Sequence, residues 1–364
     1  MNKRIRIFTF MLYNYGAILQ AYALQHYLRT LHKYDVQIVN FETKIQSESI
    51  RIFRKYSSNF IVNFLILCLS LWRYPQLKRK QKRVFNFKKT CLSLTKEFFS
   101  TEEEVLNNPP QADIYISGSD QVFNPNNNLY WRVYYLGFPK NNSLKIAYAP
   151  SFGISQFTSE MEKRLTPYIK DFDLLSCREK EGAQFLSKII QSDVPVVIDP
   201  VFLLSSGEWE KIAVLPDQKG YIFIYDLNGG QSLVDIARQI KQKTGLKIIC
   251  LTLKVQRFYP VDKQIYDCGP REFIGYIRQA EYVVTDSFHG TAFSIIFKKK
   301  FYTYVALNHM SSRINTLLES LNLKDRIIEN KKVQEFRFED QSLPDYARKL
   351  NEIISESKTF LQKI

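Results

Sequence analysis

Short apolar runs alternate with longer stretches of helical period along most of the chain, and that alternation predicts β–α–β units and parallel sheets. Residues 4–10 read as a strand. After the loop 11–15, a helix from about Gly16 carries Ile18, Leu19, Tyr22, Ala23 and Tyr27 on one face, and 36–41 is the next strand. Further strands are expected at 113–116, 145–149, 174–177 and 194–198. A second series opens at 220–226 and continues through a helix at 232–244, a strand at 247–251, a helix at 271–279 and a strand at 280–284. The stretch 201–219, with Ser205-Ser206-Gly207 and Pro216-Asp217, reads as the link between the series. The fold class expected is α/β, with two Rossmann-like domains facing a cleft. The first domain would be 1–204, with a basic helical insertion at about 44–100, and the second 205–342, with a helix over 343–364 closing the chain.

The polar residues then fall into a pattern, because successive strands finish in clusters of Gly, Ser, Asp, Arg or Asn. Ligands of open α/β sheets bind at those carboxyl ends. Ser119 and Asp120 follow the strand at 113–116, Arg178 and Glu179 the one at 174–177, and Asp199-Pro200 the one at 194–198. The richest end is the strand-to-helix turn after 280–284, with Asp286, Ser287, His289, Gly290 and Thr291. A helix start attracts anions. A structural reading of this turn makes Asp286 or Ser287 the N-cap, Gly290 a packing residue and His289 a core histidine. With only four His in the chain, and this one among other functional groups, a site is the better reading. Asn14-Tyr15-Gly16 occupies the first βα loop, where such folds place phosphate or sugar, but it is not a GxGxxG and does not call for a dinucleotide.

Composition narrows the partners. At 364 residues, 45% hydrophobic and 24% charged, the chain is a folded protein, and its net charge of +15 calls for anionic company. It carries no zinc-finger, RRM or helix-turn-helix signature, so nucleic acid is not expected. Five scattered Cys without a CxxC imply neither a disulfide framework nor structural zinc, which suits a reducing cytoplasm. The apolar run 60–72 is interrupted by Asn63 and falls short of the ~20 residues that span a bilayer. It precedes the Lys/Arg cluster 73–89, so peripheral contact with an anionic membrane through 60–89 is one expectation, and a core helix beside a solvated basic face is the other. Asp171-Phe172-Asp173 is formally a DxD but reads as a solvated face, and neither metal nor cofactor is expected.

Seven blocks in order carry a resemblance: NYGAILQAYALQHYL from Asn14, GSDQVFNP from Gly118, AYAPSFG from Ala147, SCREKEG from Ser176, VVIDPVFLL from Val196, VVTDSFHGTAFS from Val283 and SSRINTLLESL from Ser311. Together the chain resembles the polysaccharide pyruvyl transferase family, with Phe123 in place of an expected Trp. The resemblance implies a fold similar to the GT-B glycosyltransferases and transfer of pyruvate from phosphoenolpyruvate, the donor substrate, onto two hydroxyls of a sugar or lipid-linked oligosaccharide, giving a cyclic ketal and phosphate. It also implies a cytoplasmic enzyme, at the inner membrane face where its acceptor is lipid-linked, and functional roles for His289 and Arg178.

Such chemistry needs an acid–base group, for which His289 is the candidate, with Asp286 orienting it or acting as base toward the sugar. Arg178 and then Arg313 are candidates for holding the donor's oxyanions. Ser287, Gly290 and Thr291 could add donors, and Asn14, Tyr15, Gly16 and Gln20 would meet sugar or donor from the other domain, with Ser119 and Asp120. Two other readings remain open: a nucleotide-sugar glycosyltransferase of the same shape, and a non-catalytic part of a polysaccharide assembly system.

Overall fold

The computed structural model describes all residues except 1–2, 12–13, 32–33, 45–51, 54–57, 127–130, 307–311 and 341–342. Parts of the loop 11–15, of the insertion 44–100 and of the block from Ser311 therefore lie outside the described residues.

Two six-stranded sheets form the frame. The first contains β1 (Arg4–Phe8), β2 (Asp35–Phe41), β3 (Leu94–Phe99), β4 (Ile114–Ser117), β5 (Leu144–Ala147) and β6 (Leu174–Leu175), in the order β3-β2-β1-β4-β5-β6. The second contains β7 (Ile222–Asp226), β8 (Ile248–Thr252), β9 (Lys263–Ile265), β10 (Tyr282–Thr285), β11 (Lys300–Val305) and β12 (Ile327–Glu329), in the order β12-β11-β10-β7-β8-β9. Every pairing is parallel. Counted within each sheet, both orders are 3-2-1-4-5-6, the doubly wound order of the Rossmann fold. The central strands are apolar and buried on both faces, as β7 is at all five positions, because helices cover both sides.

Two sequence expectations shift. The run 194–198 is not a strand; it contributes a single bridge, Cys177 to Val196. The basic insertion is the crossover from β2 to β3, since Leu94–Phe99 pairs with β2 as an edge strand. Its helix Tyr74–Cys91 lies against the second sheet's side of the molecule, where Arg79 and Arg83 pair with Asp267 and Arg83 also with Glu272.

The strand order reverses between β1 and β4 and again between β7 and β10, and ligands of this fold sit outside such reversals. The two halves meet there. Tyr15 opens the helix Tyr15–Leu31 that follows β1, is fully buried, donates its hydroxyl to the Cys268 carbonyl at 2.8 Å and stacks on Phe273. The last helix, Ala347–Gln362, returns from the second sheet to the first half, where Ser357 Oγ accepts the Ile198 N–H and Phe360 packs on Tyr148.

Candidate functional site

Asp199 is the centre of the polar cluster between the sheets. It caps the short 3-10 turn Pro200–Leu203 by accepting the Val201 N–H on Oδ1, which leaves Oδ2 facing the cleft. That oxygen accepts from Arg178 Nη1 and from Ser119 Oγ at 3.2 Å, and lies 3.6 Å from His289 Nε2, an ion-pair distance beyond hydrogen-bond reach. Burial pushes this carboxyl up, but the Arg178 guanidinium and the His289 imidazole outweigh burial and hold it well below the ordinary carboxylate range.

Arg178 is buried and lies over the Phe288 ring at 4.6 Å. Burial works against its charge, yet Asp199, Asp120 and Glu179 leave it more basic than usual. Arg313, on the helix Ser312–Ser320, shares one of these acids: Asp120 Oδ1 lies 3.7 Å from Arg178 and 3.8 Å from Arg313. Burial first, and Arg178 second, push Arg313 down to about 10. Glu179 is fully buried and accepts from Ser151 Oγ and from the N–H groups of Phe152 and Gly153, which fixes the turn after β5. Burial raises its carboxyl, against the pull of the two arginines.

Several buried donors remain over. Arg178 Nε and Nη2 and Arg313 Nε have no hydrogen-bond partner among the described residues. Both side chains line a cavity of about 180 Å³ with Asp199, Phe288, Thr316 and Ile353 among its other walls. His289 is not on that wall and meets it through Asp199. Buried polar groups normally find a partner, and guanidiniums pair with oxyanions in forked geometry.

The strand-to-helix turn is mostly structural. Ser287 is the N-cap of the helix Phe288–Ile296 and accepts the Gly290 N–H, and Thr291 bonds the Ser287 carbonyl and Thr303. Gly290 lets the helix approach β10, since a Cβ there would lie 2.6 Å from Thr285 Oγ1. Asp286 does not orient His289; its carboxylate accepts the N–H groups of Leu227, Asn228 and Gly229 and so fastens the loop after β7. The acid beside the imidazole is Asp199 instead, which the sequence marked only as a strand end.

On the other side, Gly16 lies against His289, while Asn14 accepts the Gly16 N–H and Gln20 donates to Thr9 and to the Ala17 carbonyl. Tyr15 and Gln20 are fully buried; Tyr15 spends its hydroxyl and Gln20 its amide nitrogen inside the protein, while Gln20 Oε1 has no hydrogen-bond partner among the described residues. The DxD is also structural: Asp171 pairs with the buried Lys145, and Asp173 with Lys140 and the Lys145 N–H. Among the described residues no group of three or more His, Cys, Asp or Glu could hold a metal ion.

The sequence profile of the family described as polysaccharide pyruvyl transferase matches residues 14–308, a span that includes Gly16, Asp120, Arg178, Asp199 and His289. The chain belongs to that family. The family is one of transferases with a role in polysaccharide pyruvylation. It is also 27% identical over 186 residues to the UDP-N-acetylglucosamine--N-acetylmuramyl-(pentapeptide) pyrophosphoryl-undecaprenol N-acetylglucosamine transferase of Fusobacterium nucleatum. That match covers 46% of this chain and spans about half of the relative, 51%.

Among solved structures, the UDP-GlcNAc 2-epimerase of Methanocaldococcus jannaschii aligns over 99% of this chain and 100% of its own, at 14% identity and a TM-score of 0.49. The spinosyn rhamnosyltransferase SpnG complexed with thymidine diphosphate aligns over 99% and 93%, at 9% identity and a TM-score of 0.45. At such values the assignment of two Rossmann-like domains rests on the strand orders above. Arg313 lies past the matched span.

Proposed function

We propose that this member of the family transfers pyruvate from phosphoenolpyruvate onto two hydroxyls of a sugar in a surface polysaccharide or its lipid-linked precursor. The observation that supports it most is the arginine pair: two guanidiniums share Asp120, line one cavity with Asp199 and keep three buried N–H groups without a hydrogen-bond partner. Phosphoenolpyruvate carries a carboxylate and a phosphate, the two anions that such a pair would hold in forked geometry.

The reaction adds a proton to the methylene carbon of the enol phosphate, and a first sugar hydroxyl attacks the cationic carbon that results. The C–O bond to phosphate then breaks, and the second hydroxyl closes the ketal. Of the two hydroxyl protons, one is balanced by the new methyl group and the other leaves with phosphate. In this reading His289 carries the proton as the general acid–base group. Asp199 Oδ2 faces the ring at an ion-pair distance of 3.6 Å. Arg178 and Arg313 hold the donor and gather charge on the departing phosphate. No step is assigned to a metal or cofactor. A lipid-linked acceptor would be met at the inner face of the cytoplasmic membrane.

Thermal shift with millimolar phosphoenolpyruvate, UDP and GDP tests the donor. Stabilisation of the wild type by phosphoenolpyruvate, and its loss in Arg313→Gln, is the expected result. Stabilisation by a nucleotide alone would replace this reading with a nucleotide-sugar glycosyltransferase.

A further inference from the structure

The helix Phe60–Trp72 turns its polar positions inward. Its buried residues are Ile66 and Ser70, with Asn63 half-buried, while Phe60 at 80% exposure, Ile61, Phe64, Leu65, Leu71 and Trp72 at 71% face outward. A helix resting on a water-soluble body shows the reverse arrangement. Contiguous exposed apolar surface of this kind marks a contact with something other than water.

The next helix supplies the charge. Tyr74–Cys91 is bent by 74° from its neighbour and contains seven Lys or Arg and no acid. Lys78, Lys82, Phe85 and Lys89 are all exposed, and their spacing of four, three and four sets them in one stripe. The opposite side is fastened to the body by the Arg79 and Arg83 ion pairs and by buried Val84 and Phe87. The corner residue Arg73 is buried, stacks over Tyr266 and Phe258 and donates to the Val255 carbonyl. The pair is thus held in place at its bend, with apolar and basic surfaces side by side.

We propose that these two helices are a membrane-docking element, with the apolar helix lying in the interface of an anionic bilayer and the lysine stripe on its headgroups. Thirteen residues at 1.5 Å each give roughly 20 Å, short of the ~30 Å hydrocarbon core, so the helix lies in the membrane plane and does not cross it. Charge selects the occupant. A second copy would set lysine stripe against lysine stripe on chains of net charge +15, whereas anionic lipid satisfies both surfaces. The docking stands apart from the transfer reading; the corollary that the acceptor is lipid-linked rests on it.

The test is co-sedimentation of the full chain with phosphatidylcholine vesicles and with vesicles carrying about a quarter phosphatidylglycerol. The wild type should pellet with the anionic vesicles and less so at high salt, and the emission of exposed Trp72 should shift to the blue. Combined Lys78→Gln, Lys82→Gln and Lys89→Gln should weaken partitioning by about 10²-fold. Combined Phe64→Asp and Leu65→Asp should abolish it while leaving the melting temperature and the phosphoenolpyruvate shift as they are. A wild type that stays in the supernatant with both vesicles overturns the proposal. So does a dimer in light scattering that the Asp variant splits, which would make a second copy the occupant. Loss of the phosphoenolpyruvate shift alone counts against the transfer reading and leaves the docking standing.

Discussion

Gly16 and His289 touch across the two halves of the molecule: a Cβ built on Gly16 would lie 2.0 Å from His289 Nδ1. The glycine near the start of the first helix is thus a space requirement of the imidazole. Alanine is the better helix former, so a loss on substitution cannot come from propensity. Gly16→Ala should displace the ring and cut ketal formation by about 10²-fold. The readout is the pyruvate content of polysaccharide, by NMR, from cells carrying the variant, with the melting temperature as control for folding.

Arg313→Lys keeps a cation but removes the planar fork. Lysine cannot reproduce two parallel N–H bonds to a carboxylate or phosphate. Phosphoenolpyruvate should bind about 10- to 100-fold more weakly by calorimetry. Wild-type affinity in the variant would take Arg313 out of the site.

Asp120 sits at φ 73°, ψ −171°, a region that side chains avoid, and there serves both arginines. Asp120→Asn keeps the side chain's size and shape at this backbone position and removes the charge. The two guanidiniums then lack their shared counter-charge. The melting temperature should fall, and added phosphate should raise it more in the variant than in the wild type.

Asp199 has its carboxyl depressed in the folded protein, against burial, by Arg178 and His289. A depressed acid contributes stability that is present above its unfolded value, near 3.9, and is lost as pH falls toward the folded value. Wild-type melting temperature should therefore drop from about pH 5 to pH 3. Asp199→Asn should be less stable at pH 7 and show a shallower slope over that window. An unchanged slope would mean that other carboxylates set the acid limb.

Much of the frame was readable in the sequence because parallel strands buried on both faces leave plain apolar runs, as at β7 and β10. Three of the four edge strands, β3, β9 and β12, were not, nor was the inner strand β11. β9 and β12 have three residues each, too few for any period to show, and β3 follows a helical stretch that hides it. His289 and Arg178 stood out as chemistry at strand ends and Arg313 as a second candidate for an oxyanion, and the structure brings the three into one cluster. Ser287, Thr291 and Asp286 looked equally functional, because a polar side chain that bonds the backbone cannot be told in sequence from one that faces a ligand. Asp199 was the converse case. An Asp before Pro reads as a turn, and only the fold returns Arg178 and His289 to its second oxygen.

The closing helix, last in the chain, accepts the Ile198 N–H through Ser357 and packs Phe360 on Tyr148. The two Rossmann-like units are therefore not interchangeable cassettes cut at one linker. A chimera that grafts a new second half onto this first half must keep residues 347–362 with the recipient, or it will strip a cap from the half it was meant to preserve.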